Sequence, residues 1–400
     1  MRCALAAVAL ALTVTGCTAS GAGSSPPGST GTTSPGSSAG ASSSGAALEA
    51  VAIQVSPPLG TTGFAPQDPV TVRADGGTLS EVTVLAPDGT PVAGVLSADR
   101  TTWRAGELLG YDRTYTVSAR AENPGGNPMT AAGSIGTASP VTLTYAAAIP
   151  HPDLTDVGVG QPIALYFDED VTDRAAVERR LTVTSTPPVE GAWNWLSGRE
   201  VHYRPREFWP PGTHVEVDVS IYGVNVGNGI YGQEDRHLEF DVHDQLVARV
   251  DSAELALRIY RNGTLIKTMP TALGKPGYET YSGTYVVMDQ HAEYTMDSSS
   301  YGVPIDDTEG YRIEVEYASR LSNTGIFVHA APWSVQDQGV RNVSHGCLNV
   351  STADAQWFYE NFGRGDVVEV FGTGVPLAST DGFGDWNISW ADWRAGSALT

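Results

Sequence analysis

Leu255-Ala256-Leu257-Arg258-Ile259-Tyr260-Arg261 is followed by Asn262-Gly263 and then by Thr264-Leu265-Ile266-Lys267-Thr268. Two apolar, β-prone runs joined by the dipeptide Asn-Gly predict a tight two-stranded hairpin, because both turn positions need positive φ. Further strands are predicted over 284–288, 312–317, 325–329 and 367–371. One helix is predicted from about residue 352 to Phe362, with Ser351 as its N-cap and Gly363 just past its end. The third unit of the chain, from residue 245 to 373, therefore reads as a β-rich domain with one short helix. The tail, 374–400, is marked by Trp386, Trp390 and Trp393. Their spacings of four and three predict one helical face used for packing.

Upstream, the punctuation is denser and the strands shorter. Val70-Thr71-Val72-Arg73, Glu81-Val82-Thr83-Val84-Leu85 and Thr114-Tyr115-Thr116-Val117-Ser118 alternate around turn sequences such as Asp75-Gly76-Gly77 and Pro87-Asp88-Gly89. Trp103-Arg104 leading to Thr114-Tyr115-Thr116-Val117 is echoed by Tyr203-Arg204 leading to His214-Val215-Glu216-Val217, one small sandwich later. The expected architecture is mostly β: an immunoglobulin-like β-sandwich over 49–140, a second over 141–244, then the β-rich unit and its Trp-rich tail.

The N-terminal 48 residues carry no such pattern. Arg2 precedes a short apolar run over residues 4–12, too short to span a bilayer, and then Thr13-Val14-Thr15-Gly16-Cys17. Residues 1–16 read as an export signal, and Val14-Thr15-Gly16-Cys17 resembles the lipobox of bacterial lipoproteins, in which Cys17 would become the lipidated N-terminus. The alternative is an ordinary secretory signal with an incidental cysteine. From Thr18 to Ala47 only Ala, Gly, Ser, Thr and Pro occur, so no core can form and residues 17–48 are expected to act as a tether. The chain would work beyond the outer face of the cytoplasmic membrane, to which its lipid holds it. A formal charge of −22, from 45 acidic against 23 basic residues, argues against a nucleic-acid partner and against adhesion to anionic lipid heads.

Three cysteines occur, Cys3, Cys17 and Cys347. After signal cleavage Cys347 has no intramolecular partner, and an unpaired thiol in an oxidising compartment points to chemistry. It stands in Ser344-His345-Gly346-Cys347-Leu348-Asn349, where an extended backbone would project His345, Cys347 and Asn349 to one side. A thiol becomes a nucleophile at neutral pH only beside a base or cation. The remote candidate base is His329, in Phe327-Val328-His329-Ala330-Ala331-Pro332-Trp333. The other histidines, His202 and His243 among them, have no constellation and read as surface or structural. Asp168-Glu169-Asp170 reads as a solvated turn, with calcium as the sharper alternative.

His329, fourteen intervening residues and the Ser344–Asn349 hexapeptide resemble the signature of the L,D-transpeptidases that cross-link bacterial peptidoglycan. The resemblance extends over Met296, Tyr301-Gly302-Val303-Pro304, Tyr311, Ala331-Pro332-Trp333-Ser334 and Gly384-Asp385-Trp386-Asn387; the tandem sandwiches and lipobox match actinobacterial, mycobacterial-type members. It implies that Cys347 attacks the third stem residue of a donor tetrapeptide, with His329 as base, and that D-alanine leaves. It further implies an oxyanion site from the Tyr311 hydroxyl and the N–H groups of Gly346 and Cys347. His345, Ser344 and Asn349 would shape the nucleophile loop, and Tyr301, Trp333 and Met296 the substrate cleft. The imidazole is commonly oriented in that family through a Ser after the histidine; here the residue is Ala330, which has only its carbonyl to offer. Expected partners are donor and acceptor stem peptides, and carbapenems as inhibitors that acylate the thiol. The scheme requires no metal or cofactor. With water as acceptor the same core would be an L,D-carboxypeptidase, and with a vestigial thiol a peptidoglycan-binding module.

Overall fold

Alternating side chains decide the architecture of the described residues. The computed structural model describes residues 50–400, with Tyr301 by its backbone alone. Cys3, Cys17 and the expected export signal and tether lie outside the described residues. Strand Thr114–Glu122 alternates exposed and buried positions without a break, burying Tyr115, Val117, Ala119 and Ala121. It pairs with Thr78–Leu85 and Pro128–Gly136. That sheet closes with the order Ala52–Ser56, Thr71–Asp75, Thr102–Ala105, Gly94–Leu96 around Val72, Val84, Trp103 and Leu109. A second pair of four-stranded sheets encloses Trp193, Trp195, Tyr203 and Trp209. Tyr111 joins these two units: its hydroxyl donates to the Gly232 carbonyl at 2.6 Å and accepts from Gly223 N–H at 2.7 Å.

The third unit is built on the predicted hairpin. Asn262 and Gly263 have φ of 47° and 78°, and Arg261 pairs with Thr264 across the turn. A five-stranded sheet, Thr264–Pro270, Ala256–Arg261, Leu246–Asp251, Val367–Phe371, Gly283–Val286, shares a core with the helix Thr352–Asn361 through Leu257, Tyr285, Phe358 and Val368, while the helix itself lies against Arg312–Arg320 and Phe327–Ala330. Ser351 caps that helix by accepting from Asp354 N–H at 3.1 Å. A four-stranded sheet, Asp289–Asp297, Arg312–Arg320, Phe327–Ala330, Leu348–Val350, carries the residues of interest.

The second and third units meet without a linker. Gly158 N–H donates to the Arg364 carbonyl, and a Cβ on Gly158 would lie 2.3 Å from Gly365 backbone, so only glycine permits this approach. The tail completes the junction, and here the structure corrects the expectation of one helical face. Trp386 lies in the 3-10 turn Gly384–Asn387, Ile388 is extended, and Trp390–Ala395 begins a new helix capped by Ser389. The three indoles nevertheless converge, on Arg204, at 4.9, 5.4 and 4.6 Å from its guanidinium carbon. His202, one pleat away, is fully buried between the Asp385 carboxylate at 2.9 Å and the Glu200 carboxylate at 3.1 Å. The Asp168–Asp170 run spends its carboxylates on Thr144, Tyr145 and Arg199.

Candidate active site

Parallel pairing brings the two halves of the motif together. Phe327–Ala330 runs beside Leu348–Val350, with Val328 opposite Leu348 and His329 opposite Asn349. Cys347 therefore emerges at the start of one strand while His329 sits within its neighbour. His345, Cys347 and Asn349 all border one cleft of about 240 Å³, but not as positions of one extended strand. Gly346 adopts φ +120° and turns the chain before Leu348, so the loop is held by side chains. Ser344 Oγ donates to the Cys347 carbonyl at 2.7 Å and accepts from Gly346 N–H at 3.1 Å. Thr280 Oγ1 donates to the Gly346 carbonyl at 2.7 Å. Gly346 N–H, expected in the oxyanion site, is thus engaged by Ser344 because the left-handed turn aims it back into the loop.

A Cβ at Gly346 would have 3.9 Å of clearance, so Gly346→Ala tests conformation rather than space. We expect it to cost about 1–3 kcal/mol, read as a lowered melting temperature. An unchanged melting temperature would mean the loop tolerates another backbone path.

The two reactive groups of the cleft are buried and rest neutral. Burial pushes the His329 imidazole down to about 4, against the opposing pull of the Ala330 carbonyl and the Asn349 side chain. Burial pushes the Cys347 thiol up to about 11, a backbone N–H at Phe327 pulling the other way. His329 Nδ1–H donates to the Ala330 carbonyl at 2.8 Å, which leaves Nε2 unprotonated. Ala330 thus orients the ring with its backbone, without a hydroxyl. Asn349 donates from Nδ2 to Ser334 Oγ at 3.3 Å, while its Oδ1 is a buried acceptor with no hydrogen-bond partner. An acceptor left open beside a base favours the state in which that base carries a second proton. The Cys347 thiol donates to the Gly325 carbonyl at 3.5 Å. That turn is fixed from the tail, where the buried Asp381 accepts from Thr324 N–H.

Met296 is buried against Val315, Phe327 and Cys347, with Tyr311 packed beside them. Trp333 stands at the rim, 48% exposed, its ring 6.1 Å from that of His329. Tyr301 closes the 3-10 turn Ser298–Tyr301, and its side chain lies outside the described residues. His345 Nε2 donates to Glu309 at 2.9 Å, and its ring lies between those of Tyr278 and Tyr311. Glu309, Lys275, Thr280, Thr324 and Asp381 escaped the sequence reading. Each acts through a fold-made contact, and the one available signal was that Lys275 is among only two lysines in the chain.

Residues 245–370 match the L,D-transpeptidase catalytic domain and residues 61–225 a bacterial Ig domain. The chain belongs to the L,D-transpeptidase family and is an enzyme of that class. It is 46% identical over 340 residues to L,D-transpeptidase 2 of Mycobacterium tuberculosis, covering 85% of this chain and 83% of that protein. It is 36% identical over 360 residues to L,D-transpeptidase 5 of the same species, covering 86% and 78% respectively. A solved L,D-transpeptidase in complex with imipenem superposes at a TM-score of 0.50 and 34% identity, covering 56% of this chain and 98% of that one.

Proposed function

We propose that this enzyme forms 3→3 peptidoglycan cross-links through a thioacyl intermediate on Cys347. The observation that carries the reading is the fixed tautomer of His329, whose Nε2 is the unprotonated nitrogen of a ring sharing a cleft with the thiol. As sulfur attacks the carbonyl of the third stem residue, the thiol proton passes to Nε2. The imidazolium so formed has a waiting acceptor in Asn349 Oδ1. The oxyanion is met by the Cys347 N–H and the Tyr311 hydroxyl. Collapse breaks the bond to D-alanine, which leaves as an amine with the proton from Nε2. An acceptor diaminopimelate amine then attacks the thioester, yields its proton to Nε2, and frees the thiol. Trp333 and Met296 are walls against which the stems lie.

Water in place of the amine would give hydrolysis, so a site that excludes water while admitting an amine sets the outcome. The relative solved in complex with imipenem supports binding of carbapenems, and we infer that they acylate Cys347. We infer further that Cys17 carries a lipid and that the two sandwiches act as a spacer, holding the active site in the wall outside the cytoplasmic membrane.

Intact mass of residues 48–400 with a diaminopimelate tetrapeptide stem tests the reading. The expected result is an adduct on Cys347 that resolves into a tripeptide–tetrapeptide dimer. Tripeptide and D-alanine without dimer would make the enzyme an L,D-carboxypeptidase. A folded sample that forms no adduct but retains peptidoglycan would leave a binding module.

A further inference from the structure

Segment 302–311 leaves the 3-10 turn Ser298–Tyr301 and returns into strand Arg312–Arg320, crossing beside the cleft. It carries Asp306, Asp307 and Glu309 in a chain whose formal charge is −22, so its own charge pushes it outward. Three contacts oppose that. Tyr311 is pinned at its backbone, its N–H donating to Ser298 Oγ at 2.9 Å and its carbonyl accepting from Ser298 N–H at 3.0 Å. Its ring meets the His345 ring at 5.2 Å, with Tyr278 against His345 at 4.7 Å. The third contact fixes that imidazole: Glu309 Oε2 accepts from His345 Nε2 at 2.9 Å and from the Lys275 ammonium.

We propose that Glu309 is a positioning residue for acylation, which ties the 302–311 segment to the nucleophile loop through His345 and Lys275 and thereby holds Tyr311 over Cys347. The inference rests on the acyl-transfer reading above. Glu309 touches no reacting atom; its carboxylate joins three chain segments, 273–280, 302–311 and 344–347, at one oxygen. The Lys275 ammonium, and then the His345 imidazole, hold that carboxyl below the usual range, so the tie is ionised at neutral pH. Misplacing a donor by an ångström is enough to slow an oriented reaction severalfold to a hundredfold. His345 accordingly serves as the lever between Glu309 and Tyr311.

The test is the rate constant for acylation of the full chain by imipenem, in two backgrounds. Glu309→Ala should slow acylation about tenfold in the otherwise unchanged protein, but less than about twofold in a Tyr311→Phe background, where there is no hydroxyl left to position. Glu309→Gln, which keeps an acceptor for His345 Nε2, should recover most of the rate. Melting temperatures of all variants separate loss of fold from loss of rate, since unfolding lowers the amplitude and not the rate constant. An equal fold loss in both backgrounds, or no loss in either, overturns the positioning role alone. An unchanged protein that takes up no acyl group overturns the acyl-transfer reading with it.

Discussion

Replacing His329 by Gln is expected to slow acylation of Cys347 by imipenem about 10⁴-fold at pH 7, with the melting temperature near that of the unchanged protein. The magnitude follows from the resting state of the pair. Burial holds the thiol up at about 11 and the imidazole down at about 4, so neither is charged across the neutral range. A thiol four pH units below its ionisation exists as thiolate to about one part in 10⁴. Without a base to take the proton during attack, the reaction must draw on that fraction alone. The pH profile gives the sign. With His329 present, the base is competent above pH 4 and the rate is flat through neutrality, falling only as pH drops through about 4. In His329→Gln the rate should climb about tenfold per pH unit from 7 towards 10, tracking the thiolate. A preformed thiolate–imidazolium pair would instead make the rate of the unchanged protein fall again on the alkaline side, as the imidazolium loses its proton, and a profile of that shape would sink the neutral-pair reading. Cys347→Ala sets the floor, with no adduct at any pH.

The steepness of that prediction owes nothing to the hexapeptide itself, which is why the sequence carried the site only so far. The hairpin at Asn262-Gly263 was legible because both turn residues answer to local φ demands. Helix Thr352–Asn361 was legible because Ser351, its cap, sits next to it in the chain. Cys347 and His329 were legible as a family signature, and their nearness is secured by one parallel strand pair. What the sequence withheld were the contacts of high separation. Glu309 reaches His345 across 36 residues, and Asp385 reaches His202 across 183. No periodicity encodes these, since each partner looks like an ordinary polar residue until a chain reversal places it. Gly346 failed in a different way. An alternating pattern assumes extended backbone, and a single left-handed residue redirected the loop and engaged the N–H expected to face the substrate.

The largest stability effect should come from the second of these contacts. Asp385→Ala is expected to destabilise the junction between the second sandwich and the catalytic unit by about 3 kcal/mol, because it strands a buried imidazole. Burial alone would push His202 down, but the Asp385 carboxylate, with Glu200 behind it, outweighs burial and lifts the group to about 9. A rise from an ordinary 6.5 to about 9 corresponds to about 3 kcal/mol favouring the folded state. Since the folded value is the raised one, this stabilisation is fully present below pH 6.5 and drains away as pH climbs through 9. At the acid end the sign reverses, since Glu200, held low chiefly by its hydrogen bond to His202, loses its share as it protonates. Calorimetric melting should thus register the greatest difference between Asp385→Ala and the unchanged protein near pH 6, at least about 5 °C for a unit of this size. The gap should narrow by pH 10. His202→Gln should melt lower at pH 6 and decline less between pH 6.5 and 9 than the unchanged protein does. Equal melting temperatures at pH 6 would mean that the three indoles around Arg204, rather than the buried ion pair, hold the tail in place.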